Sequence, residues 1–132
     1  MLWWQRDLEA SSRRMAELQE AHQVYGFEWG EAFSDFFLGS VAWLLRDITQ
    51  AHEHYKECLE KFRRIGDVAF IAWTLLPLAN ISLESGNLDQ ATALYEDSLS
   101  MMRDTGDRHG EGAVLLGLGM TAHFRGETAE AQ

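Results

Sequence analysis

His54 and Cys58 are the two residues of this 132-residue chain whose types and spacing come closest to suggesting chemistry. Four residues apart on a helix, an imidazole and a thiol share one face, where they can act as zinc ligands. Further donors stand nearby: His52, Glu53 and Glu57. However, His52 would point away from His54, and the chain has no second ligand pair of this kind. The pattern favours a buried structural cysteine, and we expect no metal site and no cofactor.

Sequence motifs for catalysis are missing. The chain has no glycine-rich phosphate loop, no Gly-x-Ser-x-Gly elbow and no His-Glu-x-x-His motif. Its acid-rich stretches, residues 53–60 and 104–111, are typical of solvated helix surface and turns. The sequence therefore predicts no catalytic residues and a protein that is not an enzyme.

The charge balance is strongly acidic, with 21 acidic against 11 basic residues and a net charge of −10. Such a surface disfavours nucleic-acid partners and anionic membranes. The single cysteine excludes an internal disulfide and fits a reducing compartment. The apolar start is too short for a signal peptide, and no apolar run reaches membrane-spanning length. We expect a cytoplasmic protein with neither a nucleic-acid nor a membrane partner.

The chain superposes on itself with a shift of 40 residues. The matching positions are Gly66-Asp67 with Gly106-Asp107, Gly86 with Gly126, Tyr55 with Tyr95, Leu59 with Leu99, Arg63 with Arg103, and the series Ala51, Ala91, Ala131 and Leu38, Leu78, Leu118. This many matches at one offset indicate an internal repeat, which is the signature of stacked supersecondary units.

Each period is expected to contain two helices. In the second period, residues 68–85 carry a wide apolar stripe that Gly86-Asn87 ends, and Asp89 is the expected cap of the next helix. Pro77 should kink the first of these helices. Small residues such as Ala91 and Gly119 are expected where helices cross closely. One helix pair cannot bury its apolar faces alone, so stacking of pairs should stabilise the array.

The second period resembles the tetratricopeptide repeat family, in the residues Leu75, Leu78-Ala79, Ser82, Gly86-Asn87, Ala91, Tyr95 and Ser98. The first period departs from this pattern at Asp35, where a large apolar residue is expected, and at Arg46, where a turn glycine is expected. The resemblance implies an all-α fold, an α-α superhelix of antiparallel helix pairs. The usual period is about 34 residues. The longer one looks like the arrays of bacterial LuxR-type regulators and signalling ATPases.

One domain, residues 1–132, is predicted. Residues 1–25 would form the helix of a degenerate repeat, 26–65 the first repeat, 66–105 the second, and 106–132 an incomplete third. The stripe of Val114, Leu115, Leu118 and Ala122 then lacks a partner helix. Either the chain is a fragment of a longer protein or a second copy covers this stripe. We favour the fragment, with self-association as a consequence.

The resemblance also implies a concave groove lined by the first helix of each pair. The corresponding positions are Phe33, Phe36, Ser40, Trp43, Trp73, Leu76, Asn80, Leu83, Ala113, Leu116, Met120 and His123. All but Ser40, Ala113 and Leu116 are taken as the predicted partner-binding site, with roughly half of the set expected in the core. Asn80 matches a position that grips peptide carboxylates in some relatives, but Leu76 stands where that pattern needs a lysine. A carboxylate clamp is therefore not expected.

Three hypotheses for function follow from this aromatic groove. The first is a scaffold that binds a protein or peptide partner, within a larger bacterial regulator. The second is a regulatory domain that binds a small hydrophobic effector in the groove. The third is a self-association module, in which the open third period forms a homo-oligomer.

Overall fold

The computed structural model describes the backbone of residues 3–131 and the side-chain surroundings of residues 5–6, 8–10, 12–13 and 26–127. Its helices are α1 (Trp3–Leu44), α2 (Ile48–Ile65), α3 (Val68–Glu84), α4 (Leu88–Thr105) and α5 (Arg108–Ala131). No strand occurs within this part of the chain, and each helix packs on its neighbour in sequence. The predicted all-α array of packed helix pairs is confirmed. None of the described helices combines the length and the apolar character that a bilayer crossing requires.

The tight turns between helices follow directly from the Gly-Asp pairs. Gly66 and Gly106 end α2 and α4 in the left-handed conformation, with φ of 81° and 74°. Asp67 then caps α3 by accepting a hydrogen bond from the Phe70 amide at 3.2 Å, and Asp107 accepts one from the Gly110 amide at 2.9 Å. Each pair therefore ends one helix and begins the next, which forces the chain to reverse within two residues.

Arg46 forms the first turn although it is not a glycine. Its φ is 62°, a left-handed conformation that costs a non-glycine residue roughly 1–2 kcal/mol. Two side-chain contacts favour this geometry: the guanidinium lies 5.3 Å from the centre of the Trp43 ring and 3.3 Å from the Glu84 carboxylate. Asp47 then caps α2 by accepting from the Gln50 amide. The turn expected at this position is thus present despite the missing glycine.

Two expected helix ends are not formed. α1 continues through Gly26 and α5 continues through Gly126. A glycine inside a helix costs only about 1 kcal/mol, so a glycine ends a helix reliably only when the following residue caps the next one. Gly26 is followed by Phe27 and Gly126 by Glu127, neither of which is such a cap. The division into repeats at residues 1–25 and 106–132 stays a prediction, and the side chains of residues 14–25 lie outside the described residues.

The cap of α4 also differs from expectation. Asn87, not Asp89, is the capping residue, and its side chain accepts from the Gln90 amide at 3.2 Å. The difference arises because Gly86 adopts a φ of 82° and places the very next residue at the start of the helix. α3 meanwhile continues as one helix over Pro77.

Two buried tyrosines hold the helices together at equivalent positions of the repeat. Tyr55 lies against Gly39, where an added Cβ would be 3.0 Å from the tyrosine ring. Tyr95 lies against Gly117, where an added Cβ would be 2.5 Å from the ring. Their rings belong to two core clusters, one between α1, α2 and α3 and one between α3, α4 and α5. Because α3 contributes to both clusters, it joins the two halves of the array.

The expected close approach at Gly119 is not made. Gly119 is exposed, and a Cβ added there would meet nothing within 4 Å. Gly119 lies on the side of α5 that points away from Tyr95. Gly117, two residues earlier, lies on the side that contacts the Tyr95 ring. The stripe expected to lack a partner is also partly covered, because Val114 is buried and Leu118 packs against the core while Leu115 stays 46% exposed.

Gly117 and Gly119 provide a matched test of this packing. Gly117→Ala should destabilise the protein by about 1–3 kcal/mol, because the new methyl overlaps the Tyr95 ring. Gly119→Ala should stabilise it by up to about 1 kcal/mol, because alanine favours the helix and finds open space. Urea unfolding of both variants measures the difference. Equal changes in the free energy of unfolding would contradict the packing of Tyr95 on α5.

Cys58 offers a second test, because it is the only cysteine and is fully buried. Burial raises the pKa of its thiol to about 11, and its Sγ lies 3.5 Å from the Thr74 hydroxyl. A thiol with this pKa has about 100-fold less thiolate at neutral pH than an ordinary one. We expect labelling by a disulfide reagent at pH 8 to be at least about 100-fold slower in the folded protein than in urea. Similar rates in both states would show that α2 does not pack on α3 as described.

A candidate interaction groove on α1, α3 and α5

Two adjoining clefts form a groove along α1, α3 and α5. The smaller has a volume of about 260 Å³ and the larger about 670 Å³. The smaller cleft is lined by Phe36, Trp43, Tyr55, Trp73, Leu76, Pro77 and Asn80. The larger is lined by Trp43, Asn80, Leu83, Glu84, Gly86, Leu88, Met120, Phe124 and Glu127. Trp43 and Asn80 belong to both, so the two clefts form one continuous surface, which we call the groove.

Trp73 is held in the groove wall by the helix that follows it. Its indole Nε1 donates a hydrogen bond to Oδ2 of Asp107 at 2.7 Å, and its ring stacks near His109. Asp107 is also the residue that caps α5. The same carboxylate therefore begins α5 and orients the tryptophan, which lies half-buried with its remaining surface toward the smaller cleft.

Asn80 is the polar centre of the groove. The hydroxyl of Tyr95 donates a hydrogen bond to its Oδ1. Burial raises the pKa of Tyr95 to about 12, so this hydroxyl keeps its proton and remains a donor at neutral pH. With Oδ1 held in this way, the Nδ2 group of Asn80 is oriented, and an amide nitrogen can donate to a carbonyl placed between the two clefts.

Acidic groups lie at the end of the larger cleft. Glu84 is 3.3 Å from Arg46, and Glu127 is 3.1 Å from the Nε2 atom of His123. The groove thus combines an apolar and aromatic floor with a carboxylate-bearing rim. No histidine, cysteine or lysine is among its lining residues in the described part of the chain. This is an arrangement that suits binding by contact area and hydrogen bonding.

Most of the predicted site residues come together in the groove: Phe36, Trp43, Trp73, Leu76, Asn80, Leu83 and Met120. Of these, Leu83 is buried, Met120 is exposed and the others are half-buried. Leu83 is thus a core residue, while Phe36, Trp43, Trp73 and Leu76 pack against the core with part of their surface. An open groove explains this, because one side of each ring packs while the other faces solvent.

Phe33 and His123 do not line the groove. Phe33 stacks on Trp29 with ring centres 5.3 Å apart and meets the edge of Phe70, which places it nearer the first turn of α3. His123 points to Glu127 on the surface of α5. Ser40, Ala113 and Leu116 are not lining residues of the two clefts either.

Sequence reasoning missed Tyr55, Pro77 and Phe124, which also line the groove. Tyr55 lies in the core, and its hydroxyl end reaches Ser40 on α1 at 2.9 Å. Phe124 follows Met120 by four residues, a spacing that places both on one helix face and was a usable signal.

The possible metal ligands of the sequence separate in the structure. Cys58 turns to Thr74, while the Nδ1 atom of His54 lies 3.8 Å from Oδ1 of Asp35. Asp35, His54 and Glu57 bring donor atoms within 4.8 Å of one another. Lys61, however, places its Nζ 2.5 Å from Oδ2 of Asp35, so an ammonium already compensates the buried carboxylate. This cluster is an ion-pair network between α1 and α2.

The comparisons with known proteins agree with the helix pairs. Residues 70–132 match the family model described as tetratricopeptide repeat. No curated protein matches the chain. The matched span begins in α3 and includes α4 and α5, which are the helices that pack through Tyr95 and the second core cluster. The match and the packed helices together support a tetratricopeptide repeat in residues 70–132.

Proposed function

We propose that this chain is a non-catalytic protein-interaction module whose groove binds an apolar helix or peptide segment of a partner protein. The observation that carries the proposal is the continuous surface through Trp43 and Asn80, which joins an aromatic cleft to a larger apolar one. Tetratricopeptide repeats generally mediate protein–protein interaction, and the family match includes most of α3 and all of α5, which both supply lining residues of this groove.

Rigid aromatic groups favour this role. Interface energetics are dominated by a few aromatic anchors in well-packed pockets. Trp73 is fixed by Asp107, and Trp43 lies beneath the guanidinium of Arg46. Side chains that are already ordered lose little conformational entropy when a partner binds, so more of the buried area contributes to affinity.

Polar groups set the chemistry of the preferred partner. The Nδ2 group of Asn80 can donate to one backbone carbonyl of a bound segment and fix its register. Glu84 and Glu127 at the rim contact Arg46 and His123, so the attraction for a basic partner rests mainly on the net charge of −10, which steers cationic segments toward the protein. The partner we propose is an amphipathic segment with a basic flank.

The wider setting that we propose is a larger bacterial regulator in the cytoplasm. The support is the 40-residue period, which resembles the arrays of LuxR-type regulators and signalling ATPases, together with the single buried cysteine. In such a protein this segment would bind a partner, while the nucleic-acid contacts would belong to other segments.

Two observations support alternative functions for the groove and for α5. The larger cleft, at about 670 Å³, has a volume typical of small-ligand sites, which favours an apolar effector. Exposed Leu116, Met120 and Phe124 follow one another at four-residue steps on α5, which favours self-association. Native mass spectrometry of the purified protein separates these candidates, since a co-purifying small molecule supports the first and a dimer supports the second.

Trp43→Ala tests the groove directly. The probe is a leucine-rich amphipathic peptide with lysines on its polar face, compared with the same peptide carrying glutamates. We expect the lysine peptide to bind more tightly, and Trp43→Ala to weaken it at least about 10-fold, because Trp43 belongs to both clefts. Isothermal titration calorimetry measures the dissociation constants.

Phe37→Ala is the matched control, because Phe37 is an aromatic residue of the same helix, 64% exposed and outside both clefts. Its affinity for the lysine peptide should stay within about twofold of the parent protein. Equal losses in the two variants would indicate nonspecific adhesion, and unchanged binding in a folded Trp43→Ala protein would refute the proposal.

A further inference from the structure

The turn between α1 and α2 differs from the equivalent turn between α3 and α4 in the side chains around it. At a shift of 40 residues the corresponding positions are Trp43 with Leu83, Arg46 with Gly86, and Glu84 with Phe124. The three residues around the second turn all line the larger cleft. The space that they border is therefore part of the open groove.

At the first turn, the side chain of Arg46 lies in the equivalent space. Its guanidinium is 5.3 Å from the centre of the Trp43 ring and 3.3 Å from the Glu84 carboxylate. Trp43 and Glu84 both line the larger cleft, whereas Arg46 does not. The arginine thus reaches from the α1–α2 turn to the end of α3 and covers part of two groove residues.

A turn of this kind forms without an arginine. Gly86 makes the equivalent turn with a φ of 82°, and a Cβ added there would meet nothing within 4 Å. Arg46 adopts a φ of 62°, which is unfavourable for a residue with a side chain, whereas glycine adopts it freely. The guanidinium contacts are therefore not a requirement of the turn, and their effect falls on the groove.

The two groups that hold the guanidinium suit any basic side chain. The face of an aromatic ring attracts a cation within about 6 Å of its centre, and a neighbouring carboxylate supplies the opposite charge. Both groups are accessible, because the Glu84 side chain is 47% exposed and Trp43 is half-buried. A lysine or arginine of a bound segment would find the same two contacts there.

Arg46 can leave these contacts at little cost. Its side chain is 66% exposed, and an exposed ion pair contributes little to stability because water solvates both charges. When the guanidinium turns into solvent it opens no cavity in either core cluster, since Arg46 belongs to neither. A partner that brings its own cation can therefore replace Arg46 while the turn keeps its backbone conformation.

We infer that Trp43 and Glu84 form a subsite of the groove for a lysine or arginine side chain of the partner, and that Arg46 occupies this subsite until the partner displaces it. The inference rests on the proposed function, because it names the charged contact of the segment that the groove binds. Arg46 acts as a competitor within the same chain and lowers the affinity of the groove for basic segments.

Arg46→Gly in the full chain tests this inference, with the lysine and glutamate peptides described above as probes. The variant should melt at or above the temperature of the parent, because glycine adopts the left-handed turn without strain. Isothermal titration calorimetry should show the lysine peptide bound at least about fivefold more tightly, because no side chain of the protein then competes for the subsite. The glutamate peptide should show no gain.

Arg63→Ala is the control for charge, because it removes one positive charge from an exposed position of α2 outside both clefts. Its affinity for the lysine peptide should stay within about twofold of the parent value, since salt screens distant charges. An Arg46→Gly protein that binds the lysine peptide no better than Arg63→Ala overturns the inference.

Glu84→Gln shows whether the gain comes from the subsite. Added to Arg46→Gly, it should remove most of the gain, whereas alone it should change the affinity less than about twofold, because Arg46 already pairs with this carboxylate. A gain that survives Glu84→Gln also overturns the inference. If Trp43→Ala weakens binding while Arg46→Gly behaves like Arg63→Ala, the proposed function stands and only this inference falls. If a folded Trp43→Ala protein binds unchanged, both fall.

Discussion

The contact between the Tyr95 ring and the Gly117 backbone is the constraint on which the described array depends. A single helix pair has no second layer to cover its apolar face, so the pair of α3 and α4 needs α5. The Tyr95 ring reaches across because Gly117 has no side chain, and its hydroxyl then fixes Asn80. One side chain thereby sets both the spacing of the helices and the orientation of the polar group in the groove.

The groove and the contacts between α1 and α2 show how the residues of the period vary from one helix pair to the next. α1 and α3 each bring a tryptophan to the groove, but at different positions of the period, since Trp43 aligns with Leu83 and Trp73 with Phe33. Asp35, which pairs with Lys61, stands where the next period has the buried Leu75. Because the side chains on different faces of a helix contact different neighbours, each position can change its residue type with its own surroundings.

The turns between helices could be predicted from the sequence where two signals agreed. The prediction failed where only one signal was present. Gly66-Asp67 and Gly106-Asp107 combine a left-handed glycine with a capping carboxylate, and both turns form. Gly26 and Gly126 lack the capping residue, and the helices continue through them. Arg46 makes a turn that its residue type disfavours, because Trp43 and Glu84 hold its side chain. That compensation comes partly from another helix, so no local pattern could reveal it.

The amino-acid sequence by itself determined the all-α class, the helix pairs and most of the groove, because a 40-residue period and the 3.6-residue helical period together assign each side chain to a face. Only the tertiary structure decided which of these faces meet. α1, α3 and α5 are not adjacent in the chain, and their relative rotation depends on how Tyr55 and Tyr95 pack between them. Helical periodicity gives the direction of a side chain around its own axis but not the angle at which helices stack. Phe33 and His123 therefore fell outside the groove, while Phe124 fell within it.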